Sequence, residues 1–183
     1  MRTFRRTIVL LVVVLVVAGA VLVKTGVAGR WWQGQTGATT SGSATVVSVA
    51  DGDTLTVKDG GQTVKIRLLG IDAPEISHGA TPAGCGGPEA RDALVAMLPR
   101  GTAVSYVTDP IADQIDQYGR VLAYVATDEI ADVALALLDQ GRAEAWVPAG
   151  EPHPTRWNAY TAAQRNAQRA KVGSWATCAA LGR

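Results

Sequence analysis

Acidic residues and arginines occur together in three short polar motifs of this 183-residue chain. Asp53 lies in Asp-Gly-Asp-Thr, and Arg67, Asp72 and Glu75 lie in Arg-Leu-Leu-Gly-Ile-Asp-Ala-Pro-Glu. Arg120 ends the third motif, Asp-Gln-Tyr-Gly-Arg. Carboxylate oxygens suit a hard divalent cation, guanidinium groups suit a phosphate, and a further carboxylate can deprotonate water. These residue types together predict cleavage of a phosphodiester.

Each motif also has a simpler interpretation when it is taken alone. An Asp-Gly pair between two strands is a common hairpin turn, and its carboxylates are then solvated. Arg67 could form a surface ion pair with an acid of its own motif, Asp72 or Glu75. Arg120 could do the same with Asp113 or Asp116. The presence of all three motifs in one chain favours the catalytic interpretation.

Four motifs in a fixed order resemble the staphylococcal nuclease family. They are Asp-Gly-Asp-Thr, Arg-Leu-Leu-x-Ile-Asp-x-Pro-Glu, Gly-Pro-Glu-Ala and Asp-x-Tyr-Gly-Arg, and the resemblance covers roughly residues 43–175. It implies a cofactor, Ca²⁺, which is bound by the carboxylates of Asp53 and Asp72 and by the backbone carbonyl of Ala73.

The same resemblance implies the catalytic groups. Arg67 and Arg120 are expected to hold the scissile phosphate, and Glu75 is expected to act as the general base on water. Tyr118, two residues before the second arginine, is a candidate for substrate contact, although a half-buried tyrosine that only packs is an equal alternative.

The β-branched runs and turn signals predict the elements that position these residues. Strands are expected at residues 45–49, 54–58, 62–69, 102–108 and 121–126, and helices at 88–98, 130–141 and 155–171. Residues 72–87, rich in Gly and Pro, are expected to form a loop. Five short strands with three helices predict an α+β fold, a five-stranded OB-type barrel with appended helices.

The first 43 residues are not expected to belong to this barrel. Residues 7–23 are apolar or small, are preceded by arginines and are followed by Lys24, which is typical of a membrane-targeting segment. An uncleaved anchor in residues 1–24 is favoured over a signal peptide. Residues 25–43 are predicted to be a flexible linker and residues 44–183 the folded domain. The domain is thus expected outside the cell, held by a single-pass anchor, or secreted if the segment is cleaved.

The only two cysteines, Cys85 and Cys178, both lie in the part predicted to be exported. An oxidising compartment favours a disulfide between them. No feature of the sequence implies a protein partner, so a monomer is expected.

The charge of the chain excludes binding to nucleic acid through a generally basic surface. Five of the 17 Lys and Arg residues lie in the first thirty positions, which leaves 12 against all 16 acidic residues. Contact with nucleic acid must then depend on a few placed arginines or on a metal ion. Residues 141–148 also lack the tyrosines that family members carry for nucleotide contact, and Trp146 could stack on a base instead.

The sequence therefore predicts an extracellular calcium-dependent nuclease that hydrolyses DNA and RNA with little sequence specificity. The alternative is a non-catalytic nucleic-acid-binding module of the OB type at the cell surface. A calcium-stabilised structural domain is a third interpretation.

Overall fold

The computed structural model describes residues 39–79 and 81–181, and all structural statements below concern these residues. Seven strands and three helices follow one another along the chain. In order they are β1 (Ser41–Val49), β2 (Thr54–Asp59), β3 (Gln62–Leu68), β4 (Ile71–Asp72), α1 (Gly87–Met97), β5 (Ala103–Val107), β6 (Val121–Ala126), α2 (Val133–Asp139), β7 (Glu144–Ala145) and α3 (Trp157–Ala170). A 3-10 turn, Gly173–Ala176, follows the last helix.

Five strands form a closed barrel in the order β1-β2-β3-β6-β5, and β5 closes it on β1. All neighbouring strands are antiparallel except β3 and β6, which are parallel. This order agrees with the predicted OB-type barrel with three helices. The register places Arg67 opposite Thr54 on one side and opposite Leu122 on the other, in the interior of the barrel wall.

The barrel is filled by the apolar residues that alternate along its strands. Leu55, Val57 and Ile66 are fully buried, because successive side chains of a strand point to opposite faces and every second one reaches the interior. Leu94 of α1 and Leu137 of α2 are also fully buried, so the helices share the same core.

Two differences from the predicted elements concern strands. β1 begins at Ser41, within the segment predicted as linker, because β5 continues to offer it hydrogen-bonding partners as far as Val107. The short pair of β4 and β7 was not predicted, because a strand of two residues has no recognisable periodicity.

The predicted membrane segment, residues 7–23, and most of the predicted linker lie outside the described residues. No helix in the described part of the chain is sufficiently long and apolar to cross a membrane.

Asp109, after β5, fixes the start of α3 to the barrel. Its carboxylate accepts hydrogen bonds from the backbone N–H and the hydroxyl of Thr155 at 2.8 and 2.6 Å, and from the Tyr124 hydroxyl at 2.7 Å. Burial alone would raise the pKa of Asp109, but these hydrogen bonds and that from the Ile111 N–H hold it below its usual value of 3.8. The charged form therefore stabilises the folded chain.

Replacement Asp109→Asn should lower the free energy of unfolding by about 1–3 kcal/mol at neutral pH, because buried donors lose a charged acceptor. A carboxyl whose pKa is lowered by folding stabilises the protein above its unfolded pKa, and this stabilisation is lost as the pH falls through the folded pKa. The difference between the two proteins in urea unfolding should therefore shrink below about pH 4. The exposed Asp113→Asn variant is the control, and an equal loss in both would contradict this role for Asp109.

Candidate active site

Arg67 gathers two carboxylates from separate parts of the chain. Its guanidinium lies 2.5 Å from Oδ2 of Asp53, in the turn between β1 and β2, and 2.6 Å from Oδ1 of Asp72 in β4. It also donates to the carbonyl of Ile71 at 3.3 Å. All three charged residues are less than one-tenth exposed. The pairing is therefore a buried network and not the surface ion pair of the simpler interpretation.

Asp53 is held rigidly on both sides. Its Oδ2 accepts the backbone N–H of Ala73 at 3.0 Å, and its Oδ1 accepts the Thr54 hydroxyl at 2.9 Å. Its own N–H donates to Asp51 at 3.1 Å. Burial raises the pKa of Asp53 to about 7, Arg67 opposes this shift, and the charge of Asp51 adds to it. The single guanidinium does not offset the desolvation of Asp53.

Arg120 is joined to this cluster through Thr54. Its Nη1 donates to the Thr54 hydroxyl at 3.4 Å, and that hydroxyl in turn donates to Asp53. Asp116 orients the arginine by accepting its Nε–H at 2.6 Å and its backbone N–H at 2.9 Å. The side chain of Arg120 remains 24% exposed, so a ligand can reach it.

Tyr118 lies beside this second arginine, with its ring centroid 5.3 Å from Cζ of Arg120. It is 74% exposed, so it does not contribute to the core as the packing alternative would require. Its ring is available to a ligand that contacts Arg120.

Glu75 is the predicted site residue that the structure does not bring into the cluster. Ala73 and Pro74 are buried, and the chain then emerges at Glu75, whose side chain is 69% exposed. Its Oε2 lies 3.8 Å from Nε2 of His78. Glu75 thus follows Asp72 by three residues in the sequence, but its side chain lies in solvent.

Glu144 is an acidic residue near the cluster that the sequence motifs do not include. It lies directly opposite Asp72 in the β4–β7 pair, and opposite residues of such a pair project from the same face. Burial raises the pKa of Glu144, and the charge of Asp72 adds to this shift. No sequence signal could have found it, because its place depends on a strand pair of two residues each.

The donor atoms of the cluster fit a hard cation. Asp53 and Asp72 offer carboxylate oxygens, and the backbone of Ala73 adjoins both. Within the described residues no group of three or more Asp, Glu, His or Cys side chains is placed to hold a metal ion. A cation held by two carboxylates and a carbonyl keeps positions open for water and substrate.

Residues 65–177, more than half of the chain, match the family model described as staphylococcal nuclease homologue. This chain belongs to the staphylococcal nuclease family. Arg67, Asp72, Glu75 and Arg120 lie within the matched residues, whereas Asp53 precedes them. The resemblance drawn from the motifs is therefore confirmed.

Three relatives illustrate the range of the family. The chain is 34% identical over 119 residues to a probable endonuclease lcl3 of Pyrenophora tritici-repentis, covering 63% of the chain but 42% of that relative. It is 32% identical over 132 residues to a thermonuclease of Staphylococcus intermedius, covering 71% of the chain and 74% of that relative. A micrococcal nuclease of Shigella flexneri is 28% identical over 138 residues, covering 71% of both. These relatives confirm the expectation of a nuclease, a hydrolase that acts on phosphodiester bonds.

Replacement Arg67→Met in this nuclease homologue should lower the free energy of unfolding by about 3 kcal/mol, because two buried carboxylates lose their guanidinium. Replacement Arg120→Met should cost less than about 1 kcal/mol, since this arginine is partly exposed and its pair with Asp116 is screened by water. Urea unfolding of the two variants without added metal provides the comparison. Equal losses would contradict the buried network.

Proposed function

We propose that this staphylococcal nuclease homologue is an exported, calcium-dependent nuclease that cleaves DNA and RNA with little sequence specificity. The observation that carries the proposal is the buried cluster in which Arg67 holds Asp53 and Asp72 side by side, with Arg120 linked to it through Thr54. Such a cluster offers anionic ligands for a cation and two cationic groups for a phosphate in one place.

In the proposed site the carboxylates of Asp53 and Asp72 and the carbonyl of Ala73 would hold Ca²⁺. When bound, the ion would supply positive charge that polarises a phosphoryl oxygen. Its preference for oxygen ligands agrees with the donor atoms present.

The two arginines are assigned to the phosphate. Hydrolysis forms a bond from phosphorus to the water oxygen and breaks the bond from phosphorus to the leaving oxygen. Negative charge grows on the phosphoryl oxygens on the way, and guanidinium groups aimed there stabilise it more than they stabilise the ground state. Arg67 would act from a fixed position, and Arg120 from the partly exposed edge of the cluster.

Glu75 is assigned the role of general base, which takes a proton from the attacking water as the new bond forms. Its side chain is exposed and accessible to water, and it follows the cluster residue Asp72 by three positions. Rotation away from His78 would be needed to direct the carboxylate toward a phosphate bound at Arg67. Tyr118 would contact the nucleotide next to the phosphate on the exposed side of Arg120.

The proposed lack of sequence specificity follows from the groups involved. Arginines and a cation contact phosphates, which are the same at every position of DNA and RNA and carry no sequence information. Because the acidic residues outnumber the basic ones beyond the first thirty positions, affinity would depend on these few contacts.

Export is supported by two features that are independent of the active site. Residues 7–23 have the composition of a membrane-targeting segment. Cys85 and Cys178, predicted to pair, form a disulfide in the structure, and disulfides persist in oxidising compartments. We propose that the domain acts outside the cell, either anchored or released.

The purified protein should degrade labelled single-stranded DNA and RNA in the presence of Ca²⁺, and a chelator should stop the reaction. Replacement Glu75→Gln keeps the size of the side chain but removes its basicity, so kcat should fall by about 10² or more. The exposed Glu129→Gln variant, at the other end of β6 from Arg120, serves as the matched control. Tight binding of DNA without any cleavage product would instead establish the non-catalytic module.

Replacement Glu144→Gln should weaken Ca²⁺ binding about three- to ten-fold, because it removes a negative charge on the face of Asp72. Titration calorimetry with Ca²⁺ alone measures this directly, with the exposed Glu151→Gln variant as control. The same affinity in both variants would show that Glu144 lies too far from the cation to influence it.

A further inference from the structure

The backbone of Glu75 rests on the residues that lead into α1. The N–H of Gly84 donates to the carbonyl of Glu75 at 2.9 Å. Gly87 packs so closely against the same carbonyl that a Cβ at this position would overlap its oxygen. Residues 84–87 therefore form a support for Glu75, and we refer to them as the Glu75 support.

The disulfide joins the Glu75 support to the C-terminal end of the described chain. Cys85 lies within the support, and its Cα is 5.8 Å from that of Cys178, which is 93 residues away in sequence. Next to this bond, Gly86 packs on Ser174, where a Cβ would lie 2.8 Å from the Cβ of Ser174. Cys178 donates its N–H to the carbonyl of Ser174 at 2.8 Å, so the bond and the packing contact reach the same short turn.

Ser174 in turn is tied to the strand that pairs with β4. Its N–H donates to the carbonyl of Gly141 at 3.0 Å, and its hydroxyl accepts a hydrogen bond from Arg142 at 3.3 Å. These two residues are separated only by Ala143 from β7, which pairs with β4 and hence with Asp72. The contacts form a ring that runs from Asp72 through Glu75, the disulfide and Ser174 back to β7.

We propose that Cys85 and Cys178 are positioning residues for the nuclease reaction, because their disulfide fixes the backbone of Glu75 relative to Asp72. The inference rests on the proposed role of Glu75 as general base. The side chain of Glu75 is largely exposed and its ionic neighbour His78 is 3.8 Å away, so its own contacts restrict it little. The backbone therefore fixes the point from which the carboxylate reaches, and the disulfide is the covalent link in the ring that holds this backbone.

A double-mutant cycle tests the proposal on the full chain. Cys85→Ser/Cys178→Ser protein should show a kcat about ten- to a hundred-fold lower on single-stranded DNA at saturating Ca²⁺, because a small displacement of a reacting group has an effect of this order. KM and the Ca²⁺ affinity from calorimetry should change little, since Asp53, Asp72 and Arg67 belong to the barrel and its β4–β7 pair.

The cycle then compares two backgrounds. In Glu75→Gln protein, removal of the disulfide should cause no further loss of kcat, because the group that it positions is already gone. In Arg120→Met protein, removal of the disulfide should lower kcat by the same factor as in the unaltered protein, since Arg120 has no part in the ring. Equal losses with and without Glu75, or an unchanged kcat without the disulfide, would overturn the proposal.

A second variant keeps the disulfide and displaces Glu75 directly. In Gly87→Ala protein the added methyl group would collide with the Glu75 carbonyl, so the same loss of kcat with retained Ca²⁺ affinity is expected. This loss should also vanish in the Glu75→Gln background, and its persistence there would contradict the proposal. The variant keeps the test available even if the protein without the disulfide fails to fold. If Glu75→Gln protein is itself fully active, the proposed function fails. If Glu75→Gln protein is inactive but removal of the disulfide lowers its kcat further by the full factor, only the positioning role is overturned.

Discussion

Arg67 pairs with two carboxylates in the interior wall of the barrel, and the geometry of the site depends on this one guanidinium. Burying an ion has a desolvation cost of several kcal/mol, which is offset only when the partners are close and well hydrogen-bonded. Here the compensation is incomplete, since burial still raises the pKa of Asp53 to about 7. The incompletely compensated burial of Asp53 makes the site less favourable for folding, and a bound cation would stabilise the charged carboxylate.

The proposed catalytic groups differ in how firmly they are held. Arg67, Asp53 and Asp72 are buried and have several partners each, so their arrangement exists before any ligand arrives. Arg120 is held by Asp116 but remains partly exposed, and Glu75 is held mainly through its backbone, since its side chain has one exposed neighbour at 3.8 Å. The buried residues would bind the ion in a fixed position, whereas Arg120 and Glu75 could adjust to the substrate. This would allow a long polymer to enter and leave the site.

The parts of the fold with a strong local signal were predicted correctly. The five barrel strands and three helices were found within a few residues, because alternation, helical periodicity and Gly or Pro boundaries extend over enough positions. The motifs identified Arg67, Asp53 and Asp72, which the structure brings together. Glu144 and Thr54 acquire their roles only through contacts between distant segments, and the exposure of Glu75 depends on the packing of Ala73 and Pro74. Such features have no local signal in the sequence.

The pairing of β1 with β5 determines where the independent domain begins. Ser41, Gly42 and Ser43 lie opposite Val107, Tyr106 and Ser105, so these three residues cover the outer end of β5. A version of the protein trimmed to the predicted boundary at residue 44 would leave that end of β5 with exposed backbone N–H and C=O groups. Such an uncovered edge can recruit a strand from another copy and lead to aggregation. A soluble form intended for crystallisation should therefore retain the chain from Thr40, whose carbonyl accepts the N–H of Thr108 at 2.9 Å.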